Sequence, residues 1–445
     1  MSNIEAIIDT VLQENSLSKD TFCLAPYHYF DFDQSGEMHT CFKGKKSMGN
    51  WKEENVLSQF NSDEYKNLRT AQRQGDKTRT APNCEDCYKH EAHKVWSLRK
   101  QILIEKYNEL GHDGFVDLIK EIKSTSTDKV DTPVYDYVEM RLSNYCNLRC
   151  LHCDQRSSTQ WMRFLTDEEV FSAAKKNGLH LDPNDTSKNI MQNYRGYQEK
   201  NDLDLDDIVD IVHKSKKITL SGGEPLIDPN YFRLMDRVIE KHDKDFVVHK
   251  MFEIHTNLNV NDVEKYFAHW KKFNKVKIFV SLDVPPSTYR YFRRNGDWQL
   301  VANNIDYIKK YFKNNNSVNV YGHITFNFFG AMGWRELCDT WHEMELEANS
   351  SIVTQGPTSA MYLPDKIKSR VLKEMEAIIN DTGYGKSLRD ETLHCYTYLK
   401  NTKHNGDTLH EDVEGWCKLH DKKTNLQTLD FYPQLEMYYN NNNDK

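Results

Sequence analysis

The chain has 445 residues, enough for about three domains of ordinary size. Its 19 Gly and 11 Pro exclude a collagen-like or low-complexity chain, and 12 % aromatic residues can fill large cores. The 59 basic and 67 acidic residues give a net charge of −8, which argues against a protein that coats nucleic acid. No apolar run approaches the ~18 residues of a membrane span, and acidic residues interrupt the N-terminal apolar stretch. We therefore expect no membrane anchor and no signal peptide, and predict a cytoplasmic protein.

The first part of the chain predicts short helices around one hairpin. Apolar residues at helical spacing predict an amphipathic helix within residues 3–17. The segment HYFDFDQSGEMHTCF, residues 28–42, predicts a β-hairpin around a Gln-Ser-Gly turn. A second helix is expected over residues 91–110, with Gly111 as its C-cap. The polar segment 123–133, which ends in Pro133, is the expected domain boundary.

From residue 135 onward, short β-type runs alternate with helical stretches. The predicted strands cover residues 138–142, 217–220, 252–256, 277–283, 318–326 and 351–355. This alternation predicts an α/β fold of repeated βα units, whose parallel sheet can curl into a partial barrel. Residues 165–210 form a long polar crossover that resembles an insertion, and a helical pattern follows Pro364. The predicted domains are residues 1–134, residues 135–363 and a C-terminal helical extension, residues 364–445.

Ten cysteines carry the strongest chemical signal. They are Cys23, Cys41, Cys84, Cys87, Cys146, Cys150, Cys153, Cys338, Cys395 and Cys417. In a cytosolic chain, the grouping of the first seven favours metal or cluster ligation over a disulfide framework. The last three have no motif spacing, and buried packing explains them best.

The loop Cys146-Asn-Leu-Arg-Cys150-Leu-His-Cys153 directly follows a predicted strand. Three thiolates within eight residues can bind three irons of a [4Fe–4S] cluster and leave the fourth iron open to a small molecule. A zinc site is the alternative, although zinc loops favour paired cysteines and four closed ligands.

A second motif, Gly222-Gly223-Glu224-Pro225, also stands at the end of a predicted strand. Two glycines let a ligand approach the backbone, Glu224 can accept hydrogen bonds from an ammonium group, and Pro225 stiffens the bend. Alone this motif is an ordinary turn. One strand after the three-cysteine loop, it becomes specific.

These two motifs together resemble the radical S-adenosylmethionine (SAM) enzymes. The resemblance covers about residues 135–363 and implies a partial (β/α)6 barrel. It implies that Cys146, Cys150 and Cys153 bind the [4Fe–4S] cluster and that Gly222, Gly223, Glu224 and Pro225 bind the methionine amino group of SAM. It further implies that Ser281 and Asp283 contact the ribose, that Asn257 belongs to the third-strand motif, and that Arg293 reaches the SAM carboxylate. Arg294 is an equal candidate for the last role.

The resemblance also implies a mechanism. One-electron reduction of the cluster, by a partner such as flavodoxin or ferredoxin, would cleave SAM to methionine and a 5′-deoxyadenosyl radical. That radical would abstract a hydrogen atom from the substrate. The protein positions the cofactors and the substrate, while the cofactors supply the chemistry.

The N-terminal cysteines resemble the twitch domain, the shortened relative of the SPASM domain. In this pattern Cys23, Cys41, Cys84 and Cys87 would fully ligate an auxiliary [4Fe–4S] cluster that transfers electrons. Such domains usually follow the barrel, whereas here the element precedes it. A four-thiolate structural zinc site is the alternative.

The sequence therefore predicts a radical SAM enzyme with an auxiliary cluster that accepts an electron. The expected reaction is oxidation, as a dehydrogenation, of a small polar molecule or a peptide. A peptide- or protein-modifying maturase is one alternative, and a non-catalytic iron–sulfur or zinc-binding scaffold is another. An RNA-modifying enzyme fits poorly with the charge of −8.

Overall fold

The computed structural model describes residues 3–51, 53, 55–124, 129–130, 134–176, 179, 181–194, 206–241, 250–315, 317–354, 356–402 and 408–439. The chain divides into two compact units. Unit 1 comprises residues 1–140 and 204–219, and unit 2 comprises residues 141–203 and 220–445. The predicted domain limits at 134 and 363 stay predictions. Parts of the predicted boundary segment 123–133 and of the crossover 165–210, and the C-terminal tail, lie outside the described residues.

The strands are short and follow the order of the chain. They are β1 (Tyr29–Phe32), β2 (Met38–His39), β3 (Tyr137–Arg141), β4 (Arg149–Cys150), β5 (Lys217–Ser221), β6 (Met251–Thr256), β7 (Lys275–Ser281), β8 (Arg293–Arg294), β9 (Val318–Phe326) and β10 (Glu347–Ile352).

The α-helices of the N-terminal part all belong to unit 1. They are α1 (Asn3–Glu14), α2 (Ala25–His28), α3 (Val56–Phe60), α4 (Asp63–Gln74), α5 (Lys77–Ala92) and α6 (Leu98–Ser124). Helix α1 packs on α6, and Ile8, Leu12, Phe115 and Ile119 are buried between them. The hairpin is confirmed, because β1 and β2 pair antiparallel with Asp31 opposite His39.

The remaining helices lie in unit 2, except for α10 in unit 1. They are α7 (Thr159–Phe164), α8 (Glu168–Lys176), α9 (Ile190–Asn193), α10 (Asp206–Lys214), α11 (Pro229–Glu240), α12 (Phe267–Trp270), α13 (Pro286–Phe292), α14 (Trp298–Tyr311), α15 (Phe328–Met332), α16 (Trp334–Glu343), α17 (Asp365–Asn380), α18 (Lys386–Asn401), α19 (Glu411–Lys423), α20 (Thr428–Phe431) and α21 (Glu436–Tyr439). Single 3₁₀ turns occupy Pro225–Ile227, Val263–Tyr266, Ala360–Tyr362 and Pro433–Leu435. None of the described helices is long and apolar enough to span a membrane.

In unit 2 the strands β6, β7, β9 and β10 pair in parallel in this order. Helices connect them, as the predicted βα units require. The described strands form an open sheet rather than a closed barrel, which agrees with the expected partial barrel. One face of this sheet is largely apolar, and Ile254, Ile278 and Ile324 on it are fully buried.

The predicted strands all form, and five of them have bounds within two residues of the prediction. The sixth strand, β10, begins at Glu347, four residues earlier than expected. Its first half, Glu-Ala-Asn-Ser, lacks β-branched residues but pairs in register with β9. Here tertiary pairing overrides local propensity.

The predicted helix over residues 91–110 is wrong at its start, but its predicted end before Gly111 is confirmed. Helix α5 already ends at Ala92, and α6 begins at Leu98 and runs to Ser124. Gly111 has a φ of 70°, as a C-cap glycine would, but it makes a kink and the helical backbone resumes beyond it. The C-terminal helical extension is confirmed by α17 and the helices after it.

Candidate cofactor site

The three-cysteine loop follows strand β3 and contains the short strand β4, and its three cysteines belong to unit 2. Cys146 and Cys150 are buried with Leu148 in one small cluster, and Cys153 packs against it half-buried. The hydroxyl of Thr159 donates to the carbonyl oxygen of Cys146 at 3.0 Å. The indole of Trp161 donates to the carbonyl oxygen of Cys150 at 2.9 Å. Helix α7, which carries both donors, therefore fixes the backbone of the loop.

The thiols of this loop lie in a site that disfavours bare thiolates. Burial, followed by repulsion from Cys150, raises the pKa of Cys146 to about 12. Burial also raises the pKa of Cys150 to about 11 and that of Cys153 well above its ordinary value. Two buried cysteines and the half-buried Cys153 on one short loop fit a cluster, because iron supplies the positive charge that stabilises all three thiolates.

The glycines of the second motif allow its backbone to approach the cysteine loop. Gly222 has a φ of 102°, which only glycine adopts without strain. A Cβ at Gly223 would overlap the carbonyl oxygen of Tyr145. The N–H of Glu224 donates to that same oxygen at 2.6 Å. The close approach expected for a ligand is thus made, in this structure, by the protein's own backbone.

Glu224 joins the second motif to the end of β6. It is 1 % exposed, and its carboxylate accepts from the hydroxyl of Thr256 at 2.6 Å and from the N–H of Asn257 at 2.6 Å. Burial raises the pKa of Glu224, and these hydrogen bonds oppose the shift. The side-chain amide of Asn257 in turn lies 3.9 Å from the sulfur of Cys146. The two motifs and the third-strand motif therefore meet at one place.

Asp283 and Arg293 form a fully buried ion pair beside the same loop. The second terminal nitrogen of Arg293, Nη1, donates to the sulfur of Cys150 at 3.4 Å. The N–H of Thr325 donates to Asp283 at 2.8 Å. Burial raises the pKa of Asp283, but Arg293, together with His152 and the Thr325 N–H, outweighs burial and holds this pKa below its ordinary value. Asp283 is thus engaged by the protein itself, while Ser281 stands half-buried at the end of β7.

Sequence reasoning missed a polar face on the unit 2 sheet. This face runs across β6, β7 and β9. His255 pairs with Phe279, and Phe279 pairs with Tyr321. His323 lies two residues beyond Tyr321 on the same side of β9. The rings of His255 and Phe279 stack at 4.9 Å, and His255 meets His323 edge-on at 5.2 Å. The period-two pattern of VNVYGHITF was the available signal for such a face.

His323 is held as a neutral imidazole on this face. Its Nδ1 donates to the Asn349 side-chain oxygen at 2.7 Å, and the Ser351 hydroxyl lies 3.4 Å from its Nε2. Burial, followed by the field of His255, lowers the pKa of His323 to about 4. The face therefore offers hydrogen-bonding groups without a net charge at His323.

The N-terminal cysteines converge within unit 1. Cys23, Cys41 and Cys87 are buried, and Cys84 is partly buried. Burial raises the pKa of all four thiols, and repulsion from neighbouring cysteines adds to the shift at Cys23, Cys41 and Cys84. Within the described part of the chain, no three of these sulfurs lie within 4.8 Å of one another. Four thiolates around one zinc ion stand about 3.8 Å apart, given Zn–S bonds of about 2.3 Å.

Comparison with protein-family models decides the identity of both units' motifs. Residues 140–328 match the radical SAM superfamily, and residues 23–88 match the SPASM iron–sulfur cluster-binding domain. This chain contains a radical SAM domain. The radical SAM domain uses a [4Fe–4S] cluster and SAM, and the SPASM domain an auxiliary iron–sulfur cluster, as predicted. The unusual order is also confirmed, because the SPASM match precedes the radical SAM match.

Solved structures give weaker similarities. TYW1 with a lysine–pyruvate adduct bound is 14 % identical over 54 % of this chain and 73 % of that chain, with a TM-score of 0.29. Streptococcus suis SuiB bound to precursor peptide SuiA is 12 % identical over 73 % and 64 %, with a TM-score of 0.35. The anSMEcpe structure with bound AdoMet is 15 % identical over 55 % and 60 %, with a TM-score of 0.34. The matches thus span less than two thirds of the latter two proteins, and no curated protein sequence matches this chain. Such values do not transfer a substrate or a reaction to this chain.

The predicted site residues fall into two groups, one in each compact unit. The first group lies together in unit 2: Cys146, Cys150, Cys153, Gly222, Gly223, Glu224, Pro225, Asn257, Ser281, Asp283 and Arg293. The second group, the four N-terminal cysteines, lies in unit 1. Arg294, the other candidate for the SAM carboxylate, donates instead to the hydroxyl of Thr424. The individual roles of all these residues stay predictions.

Proposed function

We propose that this protein is an enzyme that oxidises a small polar molecule or a peptide by removing hydrogen, with the auxiliary cluster accepting an electron. The observation that carries the proposal is the Glu224–Asn257–Cys146 connection. It joins the proposed SAM-binding carboxylate to the proposed cluster loop through a hydrogen bond of 2.6 Å and a contact of 3.9 Å.

The residues of unit 2 would divide the work between binding and orientation. Cys146, Cys150 and Cys153 would hold the cluster, which with SAM supplies a 5′-deoxyadenosyl radical for hydrogen-atom abstraction. Glu224 is buried and already oriented by Thr256 and the Asn257 backbone, so that its carboxylate can receive an ammonium group without moving. Such prior orientation avoids the entropic cost of ordering the site on binding.

Gly222, Gly223 and Pro225 would set the backbone path that places Glu224. Ser281, with a half-buried hydroxyl at a strand end, is the better candidate for the SAM ribose. Asp283 would act through Arg293, which it fixes beside Cys150. Burial and hydrogen bonding support these roles. The Arg293 guanidinium would then bind the SAM carboxylate.

The polar face of the unit 2 sheet is the proposed place for the substrate. His323, which is neutral, lies 2.7 Å from the Asn349 side-chain oxygen and 3.4 Å from the Ser351 hydroxyl. The Ser351 hydroxyl lies 3.4 Å from that of Thr325. Groups of this kind suit hydroxyl or amide functions better than a free carboxylate or phosphate. A sugar-like or nucleoside-like molecule and a peptide backbone both meet this requirement.

Cys23, Cys41, Cys84 and Cys87 would hold the auxiliary cluster, which would supply a one-electron acceptor for the oxidation. Four cysteine ligands leave its irons closed to substrate, so that electron transfer is its natural use. We propose that flavodoxin or ferredoxin supplies electrons to the protein.

The test is iron and acid-labile sulfide per chain after anaerobic reconstitution, in wild type and in the Cys146/Cys150/Cys153→Ala variant. We expect about eight irons in wild type and about four in the variant, because each cysteine group binds one [4Fe–4S] cluster. Reduced wild type should also release 5′-deoxyadenosine from SAM, and the variant should not. If wild type contains zinc and no iron, the proposed enzyme is refuted and the protein is a non-catalytic zinc-binding scaffold. If wild type contains clusters but does not cleave SAM, the proposed enzymatic function is also contradicted.

A further inference from the structure

The small sheet formed by β4 and β8 carries an unusual concentration of positive charge. The two strands pair antiparallel, with Arg149 opposite Arg294 and Cys150 opposite Arg293. Directly opposed residues share a face of such a ribbon, and successive residues alternate faces. One face therefore carries Cys150 and Arg293, and the other carries two arginines against each other.

These two arginines have no ion-pair partner among the described residues. Arg294 is 4 % exposed, and its Nε and Nη2 atoms have no hydrogen-bond partner in the described structure. Its Nη1 donates to Thr424, and the charge of Asp421 acts on it from beyond ion-pair distance. Burial, followed by repulsion from Arg294, lowers the pKa of Arg149 to about 10. Like charges opposed in a sheet destabilise it, so the fold alone does not account for this pair.

Aromatic rings surround the pair but do not neutralise it. The Arg149 guanidinium lies 3.4 Å from the ring centroid of Phe164, and that of Arg294 lies 4.5 Å from Tyr291. His420 stacks on Phe164 at 5.5 Å. Burial and both arginines hold the pKa of His420 well below its ordinary value, so His420 adds no counter-charge. Two positive charges, one buried on Arg294 and one half-buried on Arg149, therefore remain beside the cysteine loop without an ion-pair partner among the described residues.

We propose that Arg149 and Arg294 are counter-charges that raise the reduction potential of the cluster bound by Cys146, Cys150 and Cys153. This inference rests on the proposed function of that loop. Three thiolates give the site a net negative charge, which grows by one when an external one-electron donor reduces the cluster. Cations held nearby at low dielectric favour the reduced state, and an N–H donated to a ligand sulfur acts in the same direction. Arg293 supplies that hydrogen bond to Cys150, and the arginine pair supplies charge from the opposite face.

The experiment is an anaerobic redox titration of the reconstituted holoenzyme, followed by electron paramagnetic resonance. The cluster whose signal changes when SAM is added is the one under test, and the auxiliary cluster serves as an internal reference. The variants are Arg294→Met, Arg294→Lys, Arg149→Met and Arg149→Lys. Arg290→Gln is the matched control, because it removes a positive charge from an exposed position on α13.

We expect each Met variant to lower the equilibrium constant for reduction of the SAM-responsive cluster about tenfold, which is about 59 mV for one electron. The Lys variants should keep most of the wild-type potential, and Arg290→Gln and the auxiliary cluster should not shift. An unchanged potential in Arg149→Met, which is half-buried and the easier site to replace, would overturn the inference. Equal shifts in Met and Lys variants would do the same, since packing and not charge would be responsible. A wild type without any SAM-responsive cluster would refute the proposed function instead.

Discussion

Gly223 and Tyr145 approach so closely that no side chain fits between their backbones. The N–H of the following residue, Glu224, donates to the same Tyr145 carbonyl oxygen. The Gly222-Gly223-Glu224-Pro225 motif and the cysteine loop are therefore held together by main-chain contacts, and Gly223 is required for this packing whatever ligand the motif binds.

We expect Gly223→Ala to destabilise the protein by about 1–3 kcal/mol, the usual cost of overpacking a tight site. The added methyl group must displace the Tyr145 carbonyl, and with it the start of the cysteine loop. Thermal unfolding and iron content after reconstitution measure both effects. Gly385→Ala is the control, because open space surrounds that glycine and its φ is −58°. Equal behaviour of the two variants would contradict the packing argument.

Glu224→Gln should weaken SAM binding at least tenfold and leave the iron content unchanged. The amide keeps the size of the side chain but removes the negative charge that an ammonium group needs. It also presents an N–H toward the Asn257 N–H, which now donates to Glu224 Oε2. Equilibrium dialysis with labelled SAM on the reconstituted protein gives the affinity. Asp228→Asn is a suitable comparison, since Asp228 is a buried carboxylate that caps α11 nearby in the sequence. Loss of SAM binding in both variants alike would argue for a purely structural effect.

Asp283→Asn should destabilise unit 2 by about 3–5 kcal/mol, because it leaves the buried Arg293 charge without its partner. Arg293→Met alone should cost a similar amount. The double variant should cost less than the sum of the single variants, since it removes both charges. Denaturant unfolding of all three variants forms the thermodynamic cycle. Strict additivity would show that the two groups do not depend on each other.

The stability of unit 1 should fall as the pH falls below about 4. Asp136 accepts from His28 at 2.7 Å and pairs with Lys106 at 2.6 Å. Burial alone would raise the pKa of Asp136, but His28 and Lys106 outweigh it and hold this pKa well below its ordinary value. A carboxyl group with a lowered folded-state pKa stabilises the protein above its unfolded pKa of about 3.9. That contribution is lost as the pH falls toward the folded value.

The measurement for this prediction is the denaturant midpoint of wild type and Asp136→Asn between pH 3 and pH 7. The variant should be less stable at neutral pH, because the buried Lys106 loses the charge of this partner, and it should depend less steeply on pH. Parallel curves for the two proteins would show that other carboxylates cause the acid sensitivity.

Local patterns in the sequence were enough to predict the three-cysteine loop and most of the strands of the sheet. Cys146, Cys150 and Cys153 lie within eight residues, so chain connectivity alone brings them together. The parallel strands could be predicted from the sequence because short runs of β-branched residues, with their characteristic period, are typical of buried strands. The family resemblance, which rests on the same residues, was enough to indicate both cofactors.

The tertiary structure decided the relationships between distant segments. No local pattern predicts that Gly223 packs on Tyr145, that Asp283 fixes Arg293, or that Arg149 opposes Arg294 across a two-residue ribbon. Each depends on segments separated by up to 145 positions, counted from residue 149 to residue 294, being placed in register by the packing of the whole unit. The sequence by itself determined which chemistry the chain carries, because ligands at short spacing need only a loop. Only the folded chain decided which charges surround that chemistry, because burial and long-range pairing exist only after the core has formed.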